Sequence, residues 1–324
     1  MNNRKKIFFR ADAGVEIGYG HFIRTLALAD MLKNDFDCTF FTQIPTEYQR
    51  NEAKNVCPLA VLPNDDTKFA LFLDKLAGDE IVVLDNYFFT TDYQRDIKAK
   101  GCTLVCIDDM HDKHYVADVV INYGANNPEL FDIEPYTKLC LGLDWALLRK
   151  PFLEAAKNLK SRSHKEIIEN VVVCFGGSDI YDLTGKYIDI LLQNTQIQSI
   201  IAVVGDAYQP HNGKKENKKV RYLSRLSAQE MADLFCQTDC VVCSASTTCI
   251  EALACGTKVA AGWYVENQKE FYEYLVNKNI IFALGNFATM DKDLSLQLFD
   301  FENIKFSTKI SDNYINLFNQ IMHE

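Results

Sequence analysis

The chain lacks any run approaching the roughly 18–20 consecutive apolar residues that a bilayer-spanning helix needs. No secretory leader is expected, because Met1-Asn2-Asn3-Arg4-Lys5-Lys6 leads into a strand-like segment and not a signal-peptide core. Positive charge is not in excess: 34 Lys and Arg against 44 Asp and Glu give a net charge of −10. That balance argues against a general nucleic-acid or anionic-membrane binder, while an anionic small ligand can still be held locally by backbone amides and helix ends. Neither G-x-G-x-x-G nor the Walker pattern occurs, so a dinucleotide fold of that type and a P-loop kinase are both unsupported. The eleven cysteines are an odd number, and most sit in apolar runs such as Leu104-Val105-Cys106-Ile107 and Val171-Val172-Val173-Cys174-Phe175. Reduced, buried thiols fit that placement better than disulfides, and the compartment reads as cytoplasm. Even around Cys236, Cys240 and Cys243 no CxxC pair is joined by a second pair or a His pair, so no metal site is expected. No low-complexity segment or sequence repeat is visible.

What is present is a long alternation of short apolar runs with helix-length amphipathic segments. At 324 residues the length favours two domains. The spacing predicts strands at Lys6–Arg10, Cys38–Thr42, Ala60–Leu62, Ile81–Leu84, Leu104–Ile107, Val119–Ile121 and Leu139–Leu141. A charged passage from Lys157 to Asn170 follows, and the pattern restarts at Val171–Phe175, Ile200–Val204, Val220–Leu223, Cys240–Cys243 and Lys258–Ala261. Such βα series imply α/β architecture with parallel sheets covered by helices. We expect two doubly wound domains, 1–156 and 157–324, facing each other across a cleft, with the last helix crossing back to the first domain. Ligands in such sheets bind beyond the carboxyl ends of the strands.

Six segments just after those strands carry candidate chemistry. The stretch from Arg10 to Arg24 holds Asp12, Gly14, Gly18, Gly20 and His21, with His21 where a helix begins. Glycines allow close backbone approach, the first N–H groups of a helix favour negative charge, and an imidazole there can move a proton. A tight βα turn with a surface His is the plain alternative. Phe175-Gly176-Gly177-Ser178-Asp179 suits a phosphate or sugar, or any tight connection. Ser244-Ala245-Ser246-Thr247-Thr248-Cys249-Ile250-Glu251 places hydroxyls at a helix start, able to hold a diphosphate, with Glu251 one turn on and able to accept from a ribose diol. Thr248-x-x-Glu251 equally satisfies a capping box. Asp85-Asn86-Tyr87 and Asp108-Asp109 fall at strand ends, where carboxylates serve metal or acid–base work but also act as caps and turns. Asn267-Gln268 either hydrogen-bonds a sugar or begins the next helix.

Together these segments resemble one family, the UDP-sugar hydrolases of pseudaminic acid biosynthesis, GT-B-fold enzymes related to the MurG-type glycosyltransferases. The family's opening pattern R-x-D-x-S-x-x-I-G-x-G-H-x-x-R is met by Arg10, Asp12, Ile17, Gly18, Gly20, His21 and Arg24, with Gly14 in place of Ser. Its D-H-Y appears as Asp85-Asn86-Tyr87, its I-D-D as Ile107-Asp108-Asp109, and its Y-A-L-L-R-x-x-F as Trp145 to Phe152. F-G-G-S-D is whole at Phe175 to Asp179, S-T-x-x-E-A-L-A-x-G runs from Ser246-Thr247 to Gly256 with one extra residue, and D-N-Q becomes Glu266-Asn267-Gln268. The resemblance spans about Arg10 to Tyr274 in order along the chain. The departures at Gly14, Asn86, Trp145 and Glu266 bear on the identity of the sugar more than on the nucleotide.

The resemblance implies hydrolysis of the anomeric C1–O bond of UDP-2,4-diacetamido-2,4,6-trideoxy-β-L-altropyranose, with inversion and without metal or cofactor. His21 is then the base that activates water, Asp12 orients the imidazole or the sugar, and Tyr87 and Asn267 contact the sugar. The diphosphate falls to Ser246, Thr247, Thr248 and the amides near Gly18, Gly20, Gly177 and Ser178; Glu251 takes the ribose and Met231 sits beside the uracil. Arg24 joins the substrate site. A small-molecule UDP-sugar is the expected partner, for a monomer in the cytoplasm. Two rivals share the architecture: a glycosyltransferase, which needs an acceptor groove, and a non-catalytic sugar-nucleotide binder, which has no need of His21.

Overall fold

The apolar runs become two parallel sheets because their strands are buried on both faces, as in Ile81–Asp85, where every residue is buried. The computed structural model describes residues 4–14, 18–159, 167–177, 179–205, 208–211, 213–289, 306–307 and 309–322. Two compact units result: 1–150 with 307–324, and 151–306.

In the first unit the elements are β1 (Lys6–Ala11), α1 (Gly20–Leu32), β2 (Asp37–Gln43), α2 (Glu47–Ala53), β3 (Leu59–Leu62), α3 (Thr67–Leu73) and β4 (Ile81–Asp85). They continue with α4 (Thr91–Ala99), β5 (Thr103–Ile107), β6 (His114–Tyr115), β7 (Val119–Asn122), β8 (Asp132–Ile133) and β9 (Lys138–Leu141). The sheet order is β3-β2-β1-β4-β5-β7-β9, while β6 and β8 pair separately. The strand order reverses beside β1: β2 and β4 flank it, both parallel to it. In an open α/β sheet such a switch point is where ligands bind. The register sets Ala11 opposite Asp85, which brings the loops after β1 and β4 together.

The second unit contains α5 (Lys150–Lys157), β10 (Asn170–Cys174), α6 (Leu183–Gln193), β11 (Ser199–Val203), β12 (Val220–Leu223) and α7 (Ala228–Gln237). Then come β13 (Cys240–Ser244), α8 (Thr247–Ala254), β14 (Lys258–Trp263), α9 (Glu266–Asn277) and β15 (Phe282–Asn286). Its sheet runs β12-β11-β10-β13-β14-β15, again parallel. The switch point lies beside β10.

The division falls after Lys150 and not after residue 156, because Phe152 of α5 packs against Phe235 of α7. The final helix, α10 (Ile310–Ile321), belongs to the first unit: Phe318 meets Phe36 at 6.1 Å and the Tyr314 hydroxyl donates to the Trp145 carbonyl. Among the described residues, no helix is long and apolar enough to cross a membrane.

Candidate active site

Asp85 ends β4 with its carboxylate fully buried, and four donors converge on it. His21 Nδ1 lies 2.7 Å from Oδ1. Arg24 donates from Nε to Oδ2 at 2.7 Å and from Nη2 to Oδ1 at 2.6 Å, and Thr25 Oγ1 donates to Oδ2 at 2.8 Å. His21, Arg24 and Thr25 all come from the first turns of α1, which starts at Gly20. Burial alone pushes the Asp85 carboxyl up, but Arg24 and His21 outweigh it and hold the group well below the usual carboxylate range. An anionic oxygen at 2.7 Å requires the proton on Nδ1, which leaves the lone pair of the neutral ring on Nε2. Arg24 Nη2 also lies 3.0 Å from Nδ1, because both nitrogens point at the same oxygen.

Arg24 extends the network outward, donating from Nη1 to Asp109 Oδ2 at 2.9 Å, which also accepts from the Tyr87 hydroxyl at 3.1 Å. The Tyr87 ring stands edge-on to the imidazole, 4.7 Å between centroids. Asp108 turns away: its Oδ2 accepts from the backbone N–H groups of Met110 and His111, the turn role that such carboxylates often fill.

Asp12 does not orient His21. It is fully buried in a different network: both its oxygens take the Arg10 guanidinium, Oδ1 accepts from Gln43 N at 2.8 Å, and Lys68 Nζ stands 3.5 Å from Oδ2. Burial raises this carboxyl, and Arg10, Gln43 and Lys68 together bring it below its ordinary value. The Asp12 backbone is clamped by the Asn86 side chain, whose Oδ1 accepts from Asp12 N at 2.7 Å and whose Nδ2 donates to Asp12 O at 3.3 Å. Asp85 holds the imidazole; Asp12 holds the neighbouring loops.

Glycine usage separates two kinds of turn. A Cβ added at Gly205 would sit 2.1 Å from the Gly177 carbonyl oxygen, and one at Gly262 2.5 Å from that of Gly285, so both are required by packing. Gly20 and Gly177 have no atom within 4 Å of an added Cβ and no left-handed backbone. Neither strain nor packing accounts for these two. Gly18 has the same open side with φ +78°, and it pairs its backbone with Gly14 across residues 15–17. Ile17 and Ser178 lie outside the described residues.

In the second unit, buried β13 delivers Ser246 as the N-cap of α8, with no side-chain hydrogen bond capping the helix and no acid in its first turn. Thr247 and Thr248 are the first two helical residues, both partly exposed. With Ser246 as the cap, the third helical position is Cys249, so a Thr248–Glu251 capping box does not form. Glu251 lies deeper in α8 and is buried. Asp182 is the N-cap of α6, and Asp179 accepts from its first two N–H groups, Leu183 N at 2.9 Å and Thr184 N at 2.8 Å. Met231 is buried in the second turn's approach of α7, behind the Ser227–Glu230 capping box, and Asn267 is the second residue of α9. The structure thus brings His21, Arg24 and Tyr87 together in the first unit and leaves Asp12 apart from the imidazole. Two contributors escaped sequence reasoning: Thr25, inside the helix that carries His21, and Gly205, whose only signal was its place after an apolar strand.

Among the described residues no group of three or more His, Cys, Asp or Glu side chains is arranged to hold a metal ion. The eleven cysteines are free thiols, nine of them buried and Cys57 and Cys236 partly so.

No family model matches the chain. An uncharacterized protein of Methanocaldococcus jannaschii is 28% identical over 285 residues, 84% of this chain, which spans 58% of that protein's length. The UDP-2,4-diacetamido-2,4,6-trideoxy-beta-L-altropyranose hydrolase of Campylobacter jejuni is 24% identical, covering 84% of this chain and 97% of its own. Acinetobacter baumannii MurG superposes with a TM-score of 0.55 at 13% identity, over 98% of this chain and 91% of MurG. Arabidopsis thaliana UGT89C1, solved with UDP-L-rhamnose, gives 0.62 at 12% identity, over 100% and 95%. The fold is GT-B, and the Campylobacter relative bears the name of the family that the motifs resemble.

Proposed function

We propose that the chain is a UDP-sugar-acting enzyme, and specifically a hydrolase of a UDP-linked 2,4-diacetamido-2,4,6-trideoxyhexose in pseudaminic acid biosynthesis. The observation that carries this reading is the His21–Asp85 pair at the start of α1, with Nδ1 committed to the carboxylate at 2.7 Å. Such a pair makes Nε2 a base of fixed orientation. Water attacks C1 as Nε2 takes its proton; the C1–O bond breaks and its electron pair leaves with UDP. The sugar departs with inverted configuration. Asp85 stays ionised and stabilises the imidazolium, and Arg24 keeps Asp85 from being an uncompensated buried charge.

In this reading the second unit grips UDP. The α8 start at Ser246, Thr247 and Thr248 and the open backbone at Gly177 take the diphosphate, Glu251 the ribose, and Met231 the side of the uracil. Helix-end N–H groups neutralise a diphosphate without a cation, so no metal or cofactor enters the reaction. The name of the Campylobacter relative supports the sugar.

The test is hydrolysis in H₂¹⁸O without any acceptor. The proposal expects the label at C1 of the released sugar and none in UDP. Release that needs an added acceptor would make the chain a transferase, and label in UDP would move the cleavage to the P–O bond.

A further inference from the structure

Loops of an α/β unit are ordinarily polar, yet the segments after β1 and β2 carry Tyr19, Ile44 and Tyr48. Tyr19, the N-cap of α1, stands two residues before His21. Its ring meets the Tyr48 ring edge-on at 5.4 Å, and Tyr48 is the second residue of α2. Tyr48 is 39% exposed, and Ile44, on the same β2–α2 connection, is 60% exposed. Because β1 and β2 are paired parallel neighbours, their following loops emerge side by side.

Ile44 also carries strain. Its φ is +27°, a left-handed value that a β-branched residue strongly disfavours, and Pro45 follows it. The surroundings hold it there from both sides. Before it, Gln43 N donates to Asp12 Oδ1 at 2.8 Å and the Gln43 side chain accepts from Lys68 Nζ at 2.8 Å. After it, Thr46 and Gln49 close a reciprocal capping box. Gly or Asn would relieve the strain, and a polar residue would suit the exposure. An exposed apolar side chain held in a strained turn, on the loop that neighbours the approach to His21, fits a ligand contact better than a fold requirement.

We infer that Tyr19, Ile44 and Tyr48 form an apolar subsite beside His21 that receives the methyl-bearing substituents of the sugar, its acetamido and deoxy groups. Aromatic edges and an aliphatic side chain pack against such methyls, and they discriminate against a fully hydroxylated sugar. Asp12, the network residue that pins Gln43, is the positioning residue for this wall. The inference deepens the functional proposal and rests on it for the identity of the sugar.

Saturation-transfer NMR tests it, with UDP-2,4-diacetamido-2,4,6-trideoxy-β-L-altropyranose as the probe and the full chain carrying His21→Asn so that the probe is not consumed. Irradiating protein aromatic protons should saturate the acetamido and C6 methyl protons at least as strongly as the uracil protons. Adding Tyr48→Ala should cut the methyl signals about threefold or more while the uracil signals hold, and Tyr48→Phe should restore them. Ile44→Gly should lower the methyl signals with Tm unchanged or raised, which a merely structural isoleucine would not do. Methyl saturation that is absent from the start, or unmoved by Tyr48→Ala and Ile44→Gly, overturns the subsite. If the parent chain releases no UDP from this probe while the methyl pattern behaves as stated, the hydrolase reading falls and the subsite stands.

Discussion

His21 Nδ1 and Asp85 Oδ1 lie 2.7 Å apart although 64 positions separate them in the chain. The parallel register that sets Ala11 opposite Asp85 creates the pairing, and α1 then returns the imidazole over the end of β4. Asp85→Asn keeps the size of the side chain but lets the ring choose the other tautomer. The expected result is a fall in kcat of about 10²–10⁴ with KM little changed. Removing one partner of the buried Asp85–Arg24 pair should also lower stability by about 3–5 kcal/mol. Steady-state kinetics and denaturant unfolding on the same variant check both.

Acid should unfold the first unit through two carboxyls. Asp85 and Asp12 both have folded pKa values below their ordinary ones, Asp85 because Arg24 and His21 outweigh burial, Asp12 because Arg10, Gln43 and Lys68 together do. A depressed folded pKa means that the unfolded chain binds protons first as pH falls. The stabilisation is therefore fully present above the unfolded value of about 4 and is lost as pH drops through the folded values. Urea unfolding between pH 5 and pH 2 should show stability flat down to about pH 4 and falling below it, and Asp12→Asn should flatten that fall.

Glycine substitutions should part ligand binding from folding. Gly177→Ala and Gly20→Ala meet no atom within 4 Å and no strained φ, so stability should hold or rise by about 0.4–1 kcal/mol while UDP or sugar-nucleotide affinity drops. Gly205→Ala drives a methyl onto the Gly177 carbonyl and should cost about 1–3 kcal/mol of stability. Calorimetric binding alongside thermal melts reads both quantities.

Much of this architecture was legible because buried parallel strands read as continuous apolar runs, and Val171–Cys174 or Ile81–Leu84 admit few other readings. Where periodicity is absent, elements were missed. Helix α2, E-Y-Q-R-N-E-A, buries only Gln49 and Ala53, so it has no apolar stripe, and its one local signal was Thr46-x-x-Gln49. Strand β15 carries Gly285 at positive φ and pairs with β14 across a register shift, which breaks the strand pattern. At the site, residue type and loop placement singled out His21, but its carboxylate partner is a tertiary pairing. The resemblance implied Asp12, but Arg10, two residues from it, claims that carboxylate.

Glu251→Ala should weaken UDP binding by about 1–3 kcal/mol, the worth of a charged acceptor to a diol. Because Ser246 and not Thr248 caps α8, the substitution removes no capping box. UDP titration by calorimetry checks it; unchanged affinity would return Glu251 to a purely structural role.

The central claim is water activation by His21, and the most direct measurement is UDP release from UDP-2,4-diacetamido-2,4,6-trideoxy-β-L-altropyranose, with chelator and without acceptor, by the parent chain and by His21→Asn. The parent should turn over under these conditions. The variant should lose about 10²–10⁴ in kcat while its UDP affinity stays within a few-fold. A variant that keeps more than about a tenth of the parent rate, or a parent that needs an acceptor or a divalent metal, would contradict the account.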